Sequence, residues 1–132
     1  VYSLPNLSNL GRIDMNDTHL AIGCYPGGSS FKVLELSMLS SPSYQTVPGQ
    51  DCPSEVSFND KGFFIPGDDK IIGWNSVADA LAGSSPTMSF GGKTDKTNIG
   101  TKMAAGIGWD GYHFWVGEYK FSNRLLGFAP SK

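Results

Sequence analysis

The stretch Gly62-Phe63-Phe64-Ile65-Pro66-Gly67-Asp68-Asp69-Lys70-Ile71-Ile72-Gly73-Trp74 decides the fold class of this chain. Two short runs of apolar, aromatic and β-branched residues flank Pro66-Gly67-Asp68-Asp69, where Pro fixes one backbone angle and Gly accepts a positive one. That pattern is a β-hairpin with a tight turn.

Working outward, the same grammar recurs on both sides. Leu20, Ile22 and Cys24 alternate with Ala21 and Gly23, and the loop 25–30 leads into an apolar run at 31–36, a second hairpin with a wider loop. Downstream, Asp110-Gly111 opens a third unit, in which Tyr112, Phe114 and Val116 are expected to point one way and His113 and Trp115 the other. Ser122-Asn123 breaks that run before a last strand at 124–128.

Asn16-Asp17, Asn59-Asp60 and Trp109-Asp110 each precede a strand-like run. Their offsets of 43 and 50 residues hint at a threefold repeat, of the kind a β-trefoil or a propeller fragment would contain, but the spacing is uneven and no further residues align, which argues against it. One helix of about two turns is expected over 77–82, with Ser76 as cap, Asp79 at the capping-box position and Gly83 as the left-handed stop. Residues 83–108 are mostly Gly, Ser, Thr and Lys and are read as long loops carrying one or two weak strands. Residues 1–11 show no sustained period and are read as a linker or arm, leaving 12–132 as a single β domain. The expected fold is therefore all-β: a small antiparallel β-sandwich or barrel, jelly-roll-like, with long loops and at most one short helix.

Composition agrees with many short strands. The 132 residues are 39% apolar and 17% charged, and Gly 17 with Pro 8 supply frequent chain reversals. The net charge of −2, with Lys and Arg scattered singly, provides no basic stripe to neutralise a run of phosphates, which argues against nucleic-acid binding. No apolar stretch approaches the roughly 20 residues needed to cross a bilayer, so no membrane insertion is expected. The start, Val1-Tyr2-Ser3-Leu4-Pro5, lacks the pattern of a signal peptide.

Cys24 and Cys52 could close one disulfide or remain as two buried thiols. The triplets Asn6-Leu7-Ser8 and Asn16-Asp17-Thr18 have the form of glycosylation acceptors, which favours a secretory route.

Catalytic chemistry finds little support. His19 and His113 are the two imidazoles, and no Gly-x-Ser-x-Gly elbow accompanies them, so no catalytic residue is assigned. Asp60, Asp68, Asp69, Asp110 and Glu118 sit mostly at turns, where Asp caps backbone amides without any reaction. No zinc-ligand spacing or EF-hand loop occurs, and Gly91-Gly92-Lys93-Thr94 lacks the upstream glycine of a phosphate loop. Neither metal nor cofactor is expected. The signal that turn chemistry leaves unexplained is aromatic: Trp109, Asp110, Tyr112, His113 and Trp115 are expected to form a binding or dimer surface, the alternative being an inner strand covered on both sides.

In general character the chain, with its Asn- and Ser-rich arm, its long Gly/Ser/Thr loops and its tail Gly127-Phe128-Ala129-Pro130-Ser131-Lys132, resembles the protruding domain of nodavirus-like capsid proteins of small non-enveloped RNA viruses. The resemblance implies a hinge at 1–11, a homodimer forming a spike on the virion surface, and attachment to a host-cell receptor or glycan. It also implies synthesis in the cytosol, with silent acceptor triplets and reduced cysteines. The rival is a secreted, free-standing lectin, in which Trp109 stacks on a sugar while Asp110 and Asn59 accept hydroxyl protons. A secreted glycoside hydrolase is the third class.

Overall fold

The computed structural model describes residues 10–24, 31–50, 53, 55–66, 70–91, 104–118 and 125–129. These residues form three antiparallel sheets, and in each sheet strand order follows chain order. The first holds β1 (Leu10–Met15), β2 (His19–Cys24), β3 (Lys32–Glu35) and β4 (Tyr44–Thr46); the second holds β5 (Ser57–Asn59), β6 (Gly62–Pro66), β7 (Lys70–Trp74) and β8 (Met88–Gly91). The third holds β9 (Ala104–Trp109), β10 (Phe114–Glu118) and β11 (Leu125–Phe128). The protein is all-β, and the sandwich is the correct alternative: no barrel closes among the described residues. Neighbouring strands pair as successive meanders, without the crossed connections of a jelly roll.

Alternation along the middle strands builds the layers. Phe63 and Ile65 join Ala21, Phe31 and Val33 in one buried cluster, so that face of the second sheet packs on the first. Phe64 and Ile71 join Phe90, Phe114, Val116 and Phe128 in another, so the opposite face packs on the third. The second sheet is thus buried on both sides, which is why 62–74 reads as near-continuous apolar sequence. The single α-helix of the described residues, α1 (Val77–Leu81), lies between β7 and β8. Its cap is the expected one: the Asp79 amide donates to Ser76 Oγ at 3.1 Å, the Ser76 hydroxyl donates to Asp79 Oδ2 at 2.8 Å, and Gly83 takes a φ of 76°.

Two close approaches explain glycines inside strands. Gly73 lies opposite Phe64, and a Cβ there would sit 2.2 Å from the ring. Gly127 lies opposite Trp115, and a Cβ there would sit 2.9 Å from the indole. In both sheets an aromatic of the middle strand lies flat on a cross-strand glycine. Gly73→Ala is expected to displace Phe64 and cost about 1–3 kcal/mol, measured by urea unfolding.

The threefold repeat is present, with a one-residue correction: the third equivalent of Asn16 and Asn59 is Asp110. Asn16 Oδ1 accepts from the Thr18 and His19 amides, Asn59 Oδ1 from the Lys61 amide, and Asp110 Oδ1 from the Tyr112 and His113 amides. The first and third turns also share a backbone bond, Asn16 N to His19 O and Asp110 N to His113 O.

Other expectations need correction. The sheet begins at Leu10, so Leu10 and Gly11 belong to β1 and to the folded body; residues 1–9 lie outside the described residues. A register irregularity between Leu10 and Ile13 shifts the apolar positions of β1 out of strict alternation, which hid it. Tyr112 belongs to the turn, and β10 starts at Phe114. The stretch 83–108 carries β8 and β9, while 92–103 lies outside the described residues, as do the turn 67–69 and the break at 122–123.

Candidate binding groove at the turn end

Each meander places its first hairpin turn at one end of the stack, and a cavity of about 500 Å³ opens there between the first two turns. Asn16, Thr18 and His19 line it from the first sheet, Asn59, Asp60 and Lys61 from the second, and Asn75 and Ser76 from the start of α1. Met15, Phe58, Phe63 and Val77 supply apolar lining. The two walls are tied together, since the Phe58 amide donates to Asp14 Oδ2 at 2.7 Å across the first strands of the two sheets.

The polar groups of the groove are held by short local bonds. Thr18 Oγ1 donates to Asn16 Oδ1 at 3.1 Å and lies 2.8 Å from His19 Nδ1. Asp60 pairs with Lys61 at 3.2 Å and accepts the Trp109 indole N–H at 2.9 Å, and these two partners hold its carboxyl below the usual range. Asn59 spends its carbonyl oxygen on the Lys61 amide, while its Nδ2 is buried with no partner among the described residues. An unpaired buried amide is costly, so a polar ligand or water bonded to Nδ2 would remove a penalty.

The third turn is organised by Asp110. Its carboxylate accepts the His113 amide at 2.7 Å, the Trp115 indole at 2.8 Å and the Tyr112 amide at 2.8 Å, which together hold its carboxyl far below the usual range. His113 Nδ1 lies 3.4 Å from the same group.

The aromatic residues expected to share one surface do not all do so. Tyr112 is exposed, with its ring 4.6 Å from that of His113, and Trp115 is 38% exposed on the face of the third sheet turned away from the second. Trp109 instead packs inward against Phe90 and Phe114, at 5.5 and 4.7 Å between ring centroids, and is spent holding the second and third turns together through Asp60. Lys61 and Asn75 carry no signal in the sequence, and Ser76 stands out there only as the helix cap.

Cys24, at the end of β2, is disulfide-bonded; Cys52, the other of the chain's two cysteines, lies outside the described residues. No group of three or more His, Cys, Asp or Glu side chains with metal-binding geometry occurs among the described residues, and no helix there is long and apolar enough to cross a membrane. No family model, curated protein or solved structure matches the chain, so topology and turn geometry define its class: an all-β domain of serially stacked antiparallel meanders.

Proposed function

We propose that this domain is a non-catalytic binding module whose ligand is a carbohydrate seated in the groove between the Asn16 and Asn59 turns. The observation that carries this reading is the groove itself: a 500 Å³ cleft with polar side chains on three elements and an apolar lining. Sugars present both hydroxyls and apolar ring faces, and sites that hold them combine convergent polar groups with apolar or aromatic surface. The bonded Cys24 supports a secreted protein, since disulfides persist in oxidising compartments.

A glycan array probed with the 132-residue chain, followed by calorimetric titration of the best free oligosaccharide, tests the reading. Lys61→Ala and Asn75→Ala are expected to weaken binding at least about tenfold, roughly 1.4 kcal/mol, with thermal stability unchanged because both side chains are exposed. Silence across the array, or full affinity in both variants, would sink it.

A second reading, the dimeric capsid protrusion that attaches to host cells, draws on the exposed Tyr112 and Trp115. The disulfide at Cys24 runs against the reduced cysteines that this reading requires.

A further inference from the structure

The registers of the three sheets align at the turn end. Met15 pairs with Leu20, Phe58 with Phe63 and Trp109 with Phe114, each strand position lying one residue before Asn16, Asn59 or Asp110. At the third of these positions the Trp109 indole reaches back to Asp60 and ties the third turn to the second. At the second, Phe58 is shorter and has no N–H, and among the described residues no side-chain hydrogen bond joins the second turn to the first. The cavity opens at that junction.

What the groove offers a ligand follows from which polar atoms the protein has already used. Asn16 Oδ1 accepts from Thr18 and His19, Asn59 Oδ1 accepts from Lys61, and Ser76 Oγ accepts from Asp79. Thr18 Oγ1 is engaged with Asn16 and His19, and the two Asp60 oxygens face Trp109 and Lys61. Of the side-chain oxygens lining the groove, Asn75 Oδ1 alone has no partner among the described residues. Donors make up the rest of the uncommitted set: the amide nitrogens of Asn16, Asn59 and Asn75, and the Lys61 ammonium, whose contact with Asp60 is exposed and therefore weak. Asp60 is the one carboxylate in the lining, since Asp17, its counterpart in the first turn, lies outside it. A site with its acceptors spent and its donors left over favours a ligand group that only accepts, and Lys61 favours one that is charged.

We infer that the glycan taken by this groove is acidic, its carboxylate or sulfate group held by Lys61 and Asn75, with the buried Asn59 Nδ2 adding a third donor dipole. The inference rests on the carbohydrate reading and names the class of sugar within it. The chain as a whole carries a net charge of −2, so general attraction of anions does not supply the preference, and the groove does.

The test is calorimetric titration of the 132-residue chain at low salt with two matched pairs of probes. One pair is an oligomer of galacturonic acid and its methyl ester; the other is a sulfated galactose oligomer and its desulfated form. In at least one pair the acidic member is expected to bind at least about tenfold more tightly than the neutral one, and the gap is expected to shrink as salt rises. The pair with the wider gap identifies the anion. Lys61→Gln is expected to bring the ratio close to one and Lys61→Arg to keep it. Asn59→Asp retains the oxygen that accepts from the Lys61 amide, as Asp110 does in the third turn, and exchanges the donor for an acceptor. It is expected to weaken the acidic member more than the neutral one. Should this variant melt below the wild type, the Lys61 variants decide, because that side chain is exposed. Equal affinity within both pairs overturns the inference and leaves the carbohydrate reading standing, whereas no binding of any probe or of any glycan on the array overturns both. An acidic preference that survives Lys61→Gln also overturns it, since the anion would then sit elsewhere on the chain.

Discussion

Phe64→Ala is expected to destabilise the protein by about 3–5 kcal/mol, the usual cost of emptying a large, fully buried aromatic site. Phe64 is the central contact between the second and third sheets. Its ring lies 4.7 Å from Phe114 and 5.8 Å from Phe90, and it covers Gly73 from the side that no Cβ protects. Aromatic pairs at such distances add to simple area burial. The cavity cannot collapse easily, because the ring's neighbours come from strands in two sheets and from a glycine with nothing to move inward. Urea unfolding followed by tryptophan fluorescence checks this: the midpoint should fall with little change in slope. A loss under about 1 kcal/mol would mean that the third sheet does not depend on the second for its packing.

The second large effect is a dependence of stability on pH that runs opposite to the usual carboxylate case. Glu55 is buried at the junction of the first two sheets, and desolvation pushes its carboxyl up from 4.5 to about 7. Arg12 lies 3.5 Å away and acts in the lowering direction. Its guanidinium is largely exposed, so water screens the attraction and burial wins. Below about pH 4.5 the group is protonated in the folded and unfolded chain alike, and its contribution to stability is fully present. As pH rises from there to about 7 the unfolded chain has released the proton that the folded chain keeps, so stability falls, by about 3 kcal/mol in all. The measurement is unfolding free energy from urea titrations between pH 4.5 and 8, for wild type and Glu55→Gln. The variant should remove most of the slope, and an unchanged slope would assign it to other groups. Asp60 and Asp110, whose pKa values are lowered, act only at more acid pH and with the opposite sign.

The unevenness of what could be read has a physical basis. The hairpin at 62–74, the helix at 77–81 and the two-sided character of β10 were legible because their signals are local: turn formers, a cap with its stop, and alternation over five residues. β1 was not, because a register irregularity breaks its alternation. β4 and β5 span three residues each, too few for periodicity to stand out. The third turn lies one residue beyond the Trp109 position that the sequence suggests, because Asp110 makes the Asx-turn bonds, which appear only once the chain is folded.

The candidate groove shows the same division. Asn59 stands out in the sequence as a turn former, yet that its Nδ2 is buried without a partner among the described residues shows only in the folded structure. Trp109 looked like a surface aromatic, and it became a strut between sheets because Asp60, in the preceding meander, accepts its N–H.

By itself, then, the sequence determined the all-β class and the position of the helix, since each follows from the conformational preferences of neighbouring residues. Only the tertiary structure decided that the meanders stack in chain order, that Phe64 is covered where Trp115 is open, and that Glu55 is buried beside Arg12. Those outcomes depend on which face of one sheet meets which face of another. Alternation within a strand states that two faces exist, and it carries no information about what covers them.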